Sequence, residues 1–124
     1  QGDGNLFILD KVIPHGLFLS QCTAVIHHGG SGTTHSSARA GIPQMIAPML
    51  IDQFYWAYRT GLLGAGPGAV KLKRIKPAVL EAKVLDLMEN PRYKQNAAAL
   101  GEKIRAEKGV QTAADYIEGK LKPA

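Results

Sequence analysis

The chain predicts an α/β fold, a Rossmann-like parallel sheet followed by C-terminal helices. Three observations support this. Short apolar runs bounded by turn residues recur in the first half, at 5–9, 23–26 and 44–47. A glycine-rich turn opening onto a helix-like segment separates the second run from the third. From Pro77 onward the apolar residues repeat at helical spacing. Strand, turn and helix in alternation indicate parallel strands joined by crossovers, nearly always right-handed.

The elements follow in order. Asn5 to Leu9 reads as a first buried strand, and Thr23-Ala24-Val25-Ile26, apolar on both faces, as a second that runs into His27 and His28. Between them Leu17-Phe18-Leu19, behind Pro14 and Gly16, suits a short helical crossover. Gly29-Gly30-Ser31-Gly32 reads as a turn and Thr33 to Ala40 as a helix stopped by Gly41, with Pro43 beyond. Gln44 to Ala47, closed by Pro48, is the third strand, and Asp52 to Gly61 another helix. Gly64 to Gly68 reads as a flexible loop. Three helical stripes then follow: Leu80, Val84 and Leu87; Ala97, Leu100 and Ile104; Val110, Ala114, Ile117 and Leu121. Each is expected to pack on the core, with Asn90-Pro91 and Gly109 as punctuation.

With 124 residues, 45% of them hydrophobic, the chain has material for one modest core, so residues 1–124 are expected to form one domain. The basic excess, 15 Lys and Arg against 10 Asp and Glu, fits a phosphate-bearing ligand, an anionic membrane surface or nucleic acid. Much of it lies in Lys71, Lys73, Arg74 and Lys76, which no aromatic residues interleave; this run reads as a solvated loop, and nucleic acid is not expected as a partner. Lone Cys22 excludes an internal disulfide and reads as a small packing residue. No apolar run approaches the roughly 20 residues of a membrane span, and a cytoplasmic setting is expected. His15 and His35 read as loop or helix-surface residues.

The segment with chemistry is His27-His28-Gly29-Gly30-Ser31-Gly32-Thr33-Thr34. Where a buried strand ends and a helix begins, free backbone N–H groups and the positive helix end favour an anion. Glycines let a diphosphate approach the backbone, Ser31, Thr33 and Thr34 offer hydroxyl donors, and a histidine offers one more. The run lacks the Lys-Ser/Thr of a P-loop and the GxGxxG fingerprint. A plain turn with histidines satisfied in the core is the alternative that the residues leave open. Adjacent His27 and His28 point to opposite strand faces and cannot share one metal, so no metal or other cofactor is expected.

Counted from His28, Pro43 stands fifteen positions on, Pro48 twenty, and Asp52-Gln53 begins at twenty-four. That pattern resembles the C-terminal signature of the UDP-glycosyltransferases. Val12-Ile13-Pro14-His15, the segment Asp52-Gln53-Phe54-Tyr55-Trp56 and the tail from Ala97 to Val110 are similar to the bacterial and sterol glucosyltransferase branch. The resemblance implies the C-terminal domain of a GT-B glycosyltransferase. By it, His28, Gly30, Ser31, Gly32 and Thr33 bind the donor diphosphate, Asp52 and Gln53 bind the donor sugar, and His27 is structural. Val12 and Ser36 stand where plant members carry a Trp for the base and a Glu for the ribose.

The same resemblance implies the nucleotide-sugar half, with UDP-glucose as donor, of an inverting enzyme acting on a lipid, sterol or other small hydroxyl acceptor. The acceptor pocket and general base of such enzymes lie in another domain. No catalytic residue is therefore expected in this chain, transfer by it alone is not expected, and a separate acceptor-domain chain is an expected partner. The chain is expected to begin about halfway through the donor domain, exposing a sheet edge that a homodimer would cover. Two alternatives remain at this stage: a non-catalytic regulatory or partner subunit that senses a nucleotide sugar, and a generic anion or nucleic-acid binder.

Overall fold

The computed structural model describes residues 4–71, 73 and 75–121. It begins with a four-residue helix α1 (His15–Phe18), continued by a 3-10 turn through Leu19–Gln21. A βαβ unit follows: β1 (Val25–His27), α2 (Ser31–Ala40) and β2 (Gln44–Ile46). The strands are parallel, with Val25 opposite Gln44, Ile26 opposite Met45 and His27 opposite Ile46. Four further helices follow among the described residues: α3 (Ile51–Leu62), α4 (Pro77–Glu89), α5 (Pro91–Ala106) and α6 (Gly109–Leu121). The α/β class and the C-terminal helices expected from the sequence are present.

The helix boundaries have local causes. α2 stops at Gly41, whose φ of 75° lets its N–H reach back to the carbonyls of Ser37 and Ala38. Pro77 and Pro91 open α4 and α5 at the first helical position, where a missing N–H costs nothing. Asn90 caps α5 by accepting the Arg92 N–H at 3.1 Å.

The core lies on β2. Met45, Val70 and Leu87 are fully buried together, with Ala24, Ile75, Leu80 and Val84 against them. The α4 stripe therefore packs as its spacing predicts. α5 buries Ala97 and half-buries Leu100 and Ile104. It is tied to the rest by Arg105, which donates to the Arg39 carbonyl at 2.6 Å, and by Asn96, which donates to the Gly64 carbonyl at 3.2 Å.

Four expectations are corrected. Residues 6–10 form no strand, and Leu6, Phe7, Ile8 and Leu9 are exposed. An apolar run becomes a strand only when a neighbour completes its ladder, and the described sheet consists of β1 and β2 alone. The helix expected at Thr33 starts at Ser31 instead, so half of the glycine-rich turn is helical. The loop at 64–68 is packed, not flexible: Ala65, Gly66 and Pro67 are buried, and the Ala65 carbonyl accepts the Gln44 N–H at 3.0 Å. Gly66 is required there, because a Cβ would collide with the backbone carbonyl of Gln44. Finally, α6 leaves Val110 and Ile117 exposed, and no other described helix or strand packs broadly against it. Arg74 and the side chain of Leu121 lie outside the described residues.

Candidate functional site

The carboxyl ends of β1 and β2 converge on one place. His27 closes β1, and its carbonyl accepts the N–H of Ala47 at 2.9 Å, just past β2. The chain then turns at Gly29, where φ is 98° and an added Cβ would stand 2.6 Å from Ile46 Cγ2 and 3.2 Å from Gln53 Cβ. Only glycine fits that close approach. Through it the turn after β1 rests directly on the first turn of α3, which carries Asp52 and Gln53. All seven residues singled out in the sequence thus lie around one sheet end.

His27 holds this turn from below. Its Nδ1 accepts the Gly29 N–H at 3.1 Å, which places the ring proton on Nε2, 2.9 Å from Gln44 Oε1. Burial pushes the His27 pKa below its ordinary value; the Gln44 hydrogen bond opposes this, and the charges of His28 and His15 add to it. A neutral ring is what both hydrogen bonds require. Gln44 was not singled out from the sequence, although a signal existed. It is the one polar residue of a buried strand, and a period-two count puts it on the face shared with His27.

His28 is exposed on the opposite face. Its Nε2 lies 2.9 Å from where a Cβ on Gly30 would stand, so the imidazole covers the bare backbone of the helix start. Gly30 is the N-cap of α2 and has no side chain to cap it. The first intrahelical bond is from Thr34 N–H to the Gly30 carbonyl, at 3.0 Å. The amides of Ser31, Gly32 and Thr33 therefore have no intrahelical acceptor. No acidic residue sits in this first turn, and Gly32 faces open space. The arrangement can receive an anion on three N–H groups, with a histidine at its side.

Hydroxyls at the site are divided. Ser31 is exposed and Thr33 half-buried, whereas Thr34 is buried and donates to the Gly30 carbonyl at 2.9 Å, which removes it as a ligand donor. His35 donates from Nδ1 to the Ser31 carbonyl at 2.7 Å and meets Trp56 edge-on, on the helix surface as expected. Asp52 is exposed at the start of α3. Gln53 is buried, and its Oε1 accepts the N–H groups of Met49 and Leu50 at 2.7 and 2.9 Å, so only its amide nitrogen remains to donate. Ser36 lines a cavity of about 240 Å³ with Gly16, Ser20 and Arg39, on the side of α2 facing α1. No cluster of His, Cys, Asp or Glu that could hold a metal ion occurs among the described residues.

A parallel βαβ unit with a glycine turn at the strand ends and helices packed on it is a Rossmann-like arrangement, and it matches the GT-B fold of solved glycosyltransferases. The chain belongs to the family described as erythromycin biosynthesis protein CIII-like, C-terminal domain, which matches residues 4–118. It is 40% identical over 109 residues to a sterol 3-beta-glucosyltransferase of Kluyveromyces lactis, covering 88% of this chain and 9% of that protein. The solved glycosyltransferase of kitacinnamycin superposes with a TM-score of 0.81 at 29% identity, over 90% of this chain and 29% of the other. The glycosyltransferase VinC, solved with dTDP, superposes with a TM-score of 0.65 at 26% identity, over 77% of this chain and 24% of VinC. The chain thus spans a small part of the proteins it matches.

Proposed function

We propose that this chain is the donor-binding part of an inverting glycosyltransferase and takes a nucleotide diphosphate sugar of the UDP-glucose type. The observation that carries the reading is the uncapped start of α2 beneath His28, set against the first turn of α3 through Gly29. The diphosphate lies over Gly30 on the amides of Ser31, Gly32 and Thr33, with His28 donating to a phosphate oxygen. Asp52 accepts from sugar hydroxyls, and the Gln53 amide nitrogen donates to one.

This geometry suits direct displacement at the anomeric carbon. Charge grows on the leaving diphosphate in the transition state, and fixed N–H dipoles stabilise it without reorganising. They act most strongly where a closing partner domain excludes water. No metal is needed for that task, and His28 with the helix start supplies the positive field. The acceptor, a lipid, sterol or other small hydroxyl compound, and its general base belong to an acceptor-binding domain outside these residues. Transfer accordingly requires that domain, in the same polypeptide or in a partner chain, and the reaction is cytoplasmic. The free edge of β1 and the exposed run Leu6 to Leu9 are the face on which the isolated chain forms a homodimer.

Calorimetric titration with UDP-glucose, UDP and dTDP tests the reading. Saturable binding that is weakened at least tenfold by both His28→Ala and Asp52→Ala is expected for UDP-glucose. Binding of no nucleotide, or binding indifferent to both substitutions, would overturn it.

A further inference from the structure

The two histidines at the end of β1 differ in their surroundings. His28 is exposed, whereas the half-buried ring of His27 lies beneath the turn with a fixed partner at each nitrogen. Those partners are set in order. Gln44 is 1% exposed, and its Nε2 donates to the Thr34 carbonyl in α2 at 3.4 Å, which leaves its Oε1 to face His27. An amide oxygen only accepts, so the ring carries its proton on Nε2, 2.9 Å away. Nδ1 is thereby left with a lone pair, and it accepts the Gly29 N–H at 3.1 Å.

This order couples the sheet to the turn that receives an anion. Gly29 is buried and directly precedes Gly30, the N-cap of α2, so the direction of its N–H sets the peptide that leads into the three free amides. A second proton on His27 reverses the contact. Both ring nitrogens then donate, and Nδ1–H meets the Gly29 N–H across 3.1 Å. A glycine peptide is free to turn away, and it carries Gly30 and the start of α2 with it. Burial opposes the second proton, as do the charges of His28 in the turn and His15 of α1, while the Gln44 hydrogen bond favours it. The other neighbours carry no charge: Gln44 and Ile46 from β2, and Gln53 of α3 against Gly29.

We propose that Gln44 and His27 are positioning residues for the donor diphosphate: together they hold the Gly29 N–H and so aim the start of α2 at the ligand, and protonation of His27 releases the turn. The positioning role rests on the donor reading above; the coupling of His27 to Gly29 stands on the hydrogen bonds alone. It gives a task to the inner member of the His27-His28 pair and to a buried residue of β2. Donor affinity is full while His27 is neutral and falls as acid protonates it, below its ordinary value of 6.5.

Imidazole nitrogen NMR together with calorimetric titration of UDP, between pH 8 and pH 5, tests this. The parent is expected to show His27 as the Nε2–H tautomer and a Gly29 amide resonance that moves as His27 titrates. Gln44→Glu keeps an acceptor for the His27 N–H and adds a negative charge that holds the second proton, so UDP affinity at pH 8 is expected to stay near that of the parent while its loss on acidification moves up by about one pH unit or more. Gln44→Met removes the acceptor; it is expected to mix the two tautomers and to weaken UDP about fivefold at pH 8, with circular dichroism confirming that it is folded. The titrations of UDP and of His28 are common to parent and variants, so the displacement between them reports His27. An Nδ1–H tautomer in the parent, a Gly29 amide indifferent to His27, or one pH profile shared by parent and Gln44→Glu would overturn the proposal and leave UDP binding, and with it the donor reading, in place. A chain that binds no UDP while its Gly29 amide follows His27 would remove the donor reading and the positioning role together.

Discussion

His27 Nε2 stands 2.9 Å from Gln44 Oε1, and the opposite ring nitrogen accepts the N–H of Gly29 at 3.1 Å. One imidazole therefore connects the first residue of β2 to the turn that carries the candidate anion site. The chain of contacts runs from Gln44, itself donating to the Thr34 carbonyl at 3.4 Å, through His27 to Gly29. A change at buried Gln44 should consequently be felt at the turn.

Replacing Gln44 by Ala leaves the His27 N–H without its acceptor. The loss of a partner for a buried polar group costs about 1–3 kcal/mol. Urea unfolding should show a midpoint lowered accordingly, with an unchanged slope. His27→Ala in the Gln44→Ala background should add less than it costs alone, because the two residues share one interaction.

The same pair sets a pH dependence. The His27 pKa is lowered by folding, so below about pH 6.5 the unfolded chain takes up a proton that the folded chain resists. The stability linked to neutral His27 is complete above that pH and is lost as the pH falls through the interval down to the folded-state pKa. Thermal melts between pH 7.5 and 5.5 should show a steeper loss in the parent than in His27→Gln. Parallel curves would refute the assignment.

Gly29 and Gly32 should respond in opposite directions. Gly29→Ala forces φ of 98° on an alanine and drives its Cβ into Ile46, which should cost on the order of 1–3 kcal/mol or more. Gly32 lies in the helix with open space around it, so Gly32→Ala should stabilise the chain by about 0.4–1 kcal/mol. If the diphosphate lies on these amides, the same Gly32→Ala variant binds UDP more weakly although it melts higher. Stability and binding moving apart in one variant would separate a ligand site from a plain turn.

Asp52 and Gln53 should also divide. Asp52→Ala removes an exposed carboxylate and should change stability by less than about 0.5 kcal/mol beyond the loss of its favourable place at the start of α3. Its effect is expected in UDP-glucose binding and not in UDP binding. Gln53→Ala releases the amides of Met49 and Leu50 and should lower both stability and sugar affinity. Denaturant midpoints and calorimetry on the two variants check this contrast.

The exposed apolar run gives a prediction on assembly. Sedimentation velocity is expected to show a dimer for the parent chain and a monomer for Phe7→Lys combined with Ile26→Lys, both side chains being exposed. A monomeric parent would sink the homodimer.

Local signals were legible without coordinates. The βαβ order followed from the apolar runs and the turn between them. The stripes of α4 and α5 followed from their 3.6-residue spacing. The candidate segment was visible because a histidine, glycines and an Asp-Gln pair at fixed offsets from His28 are a pattern of residue types, independent of contacts. The structure was needed wherever an outcome depends on a neighbour. The run at 5–9 has strand composition and forms none. Val110 and Ile117 of α6 have core spacing and stay exposed, while Ala65, Gly66 and Pro67 have loop composition and are buried.

The amino-acid sequence by itself determined the α/β class, the helix ends at Gly41, Pro77 and Pro91, and the candidate residues around His28 and Asp52. These are set within a few residues along the chain, by backbone preference and periodicity. Only the tertiary structure decided that Gln44 grips His27, that Gly29 must be bare against Ile46, and that Gln53 spends its oxygen on Met49 and Leu50. Hydrogen bonds and close approaches between distant segments depend on where the sheet and helices place them in space, and no local pattern encodes that distance.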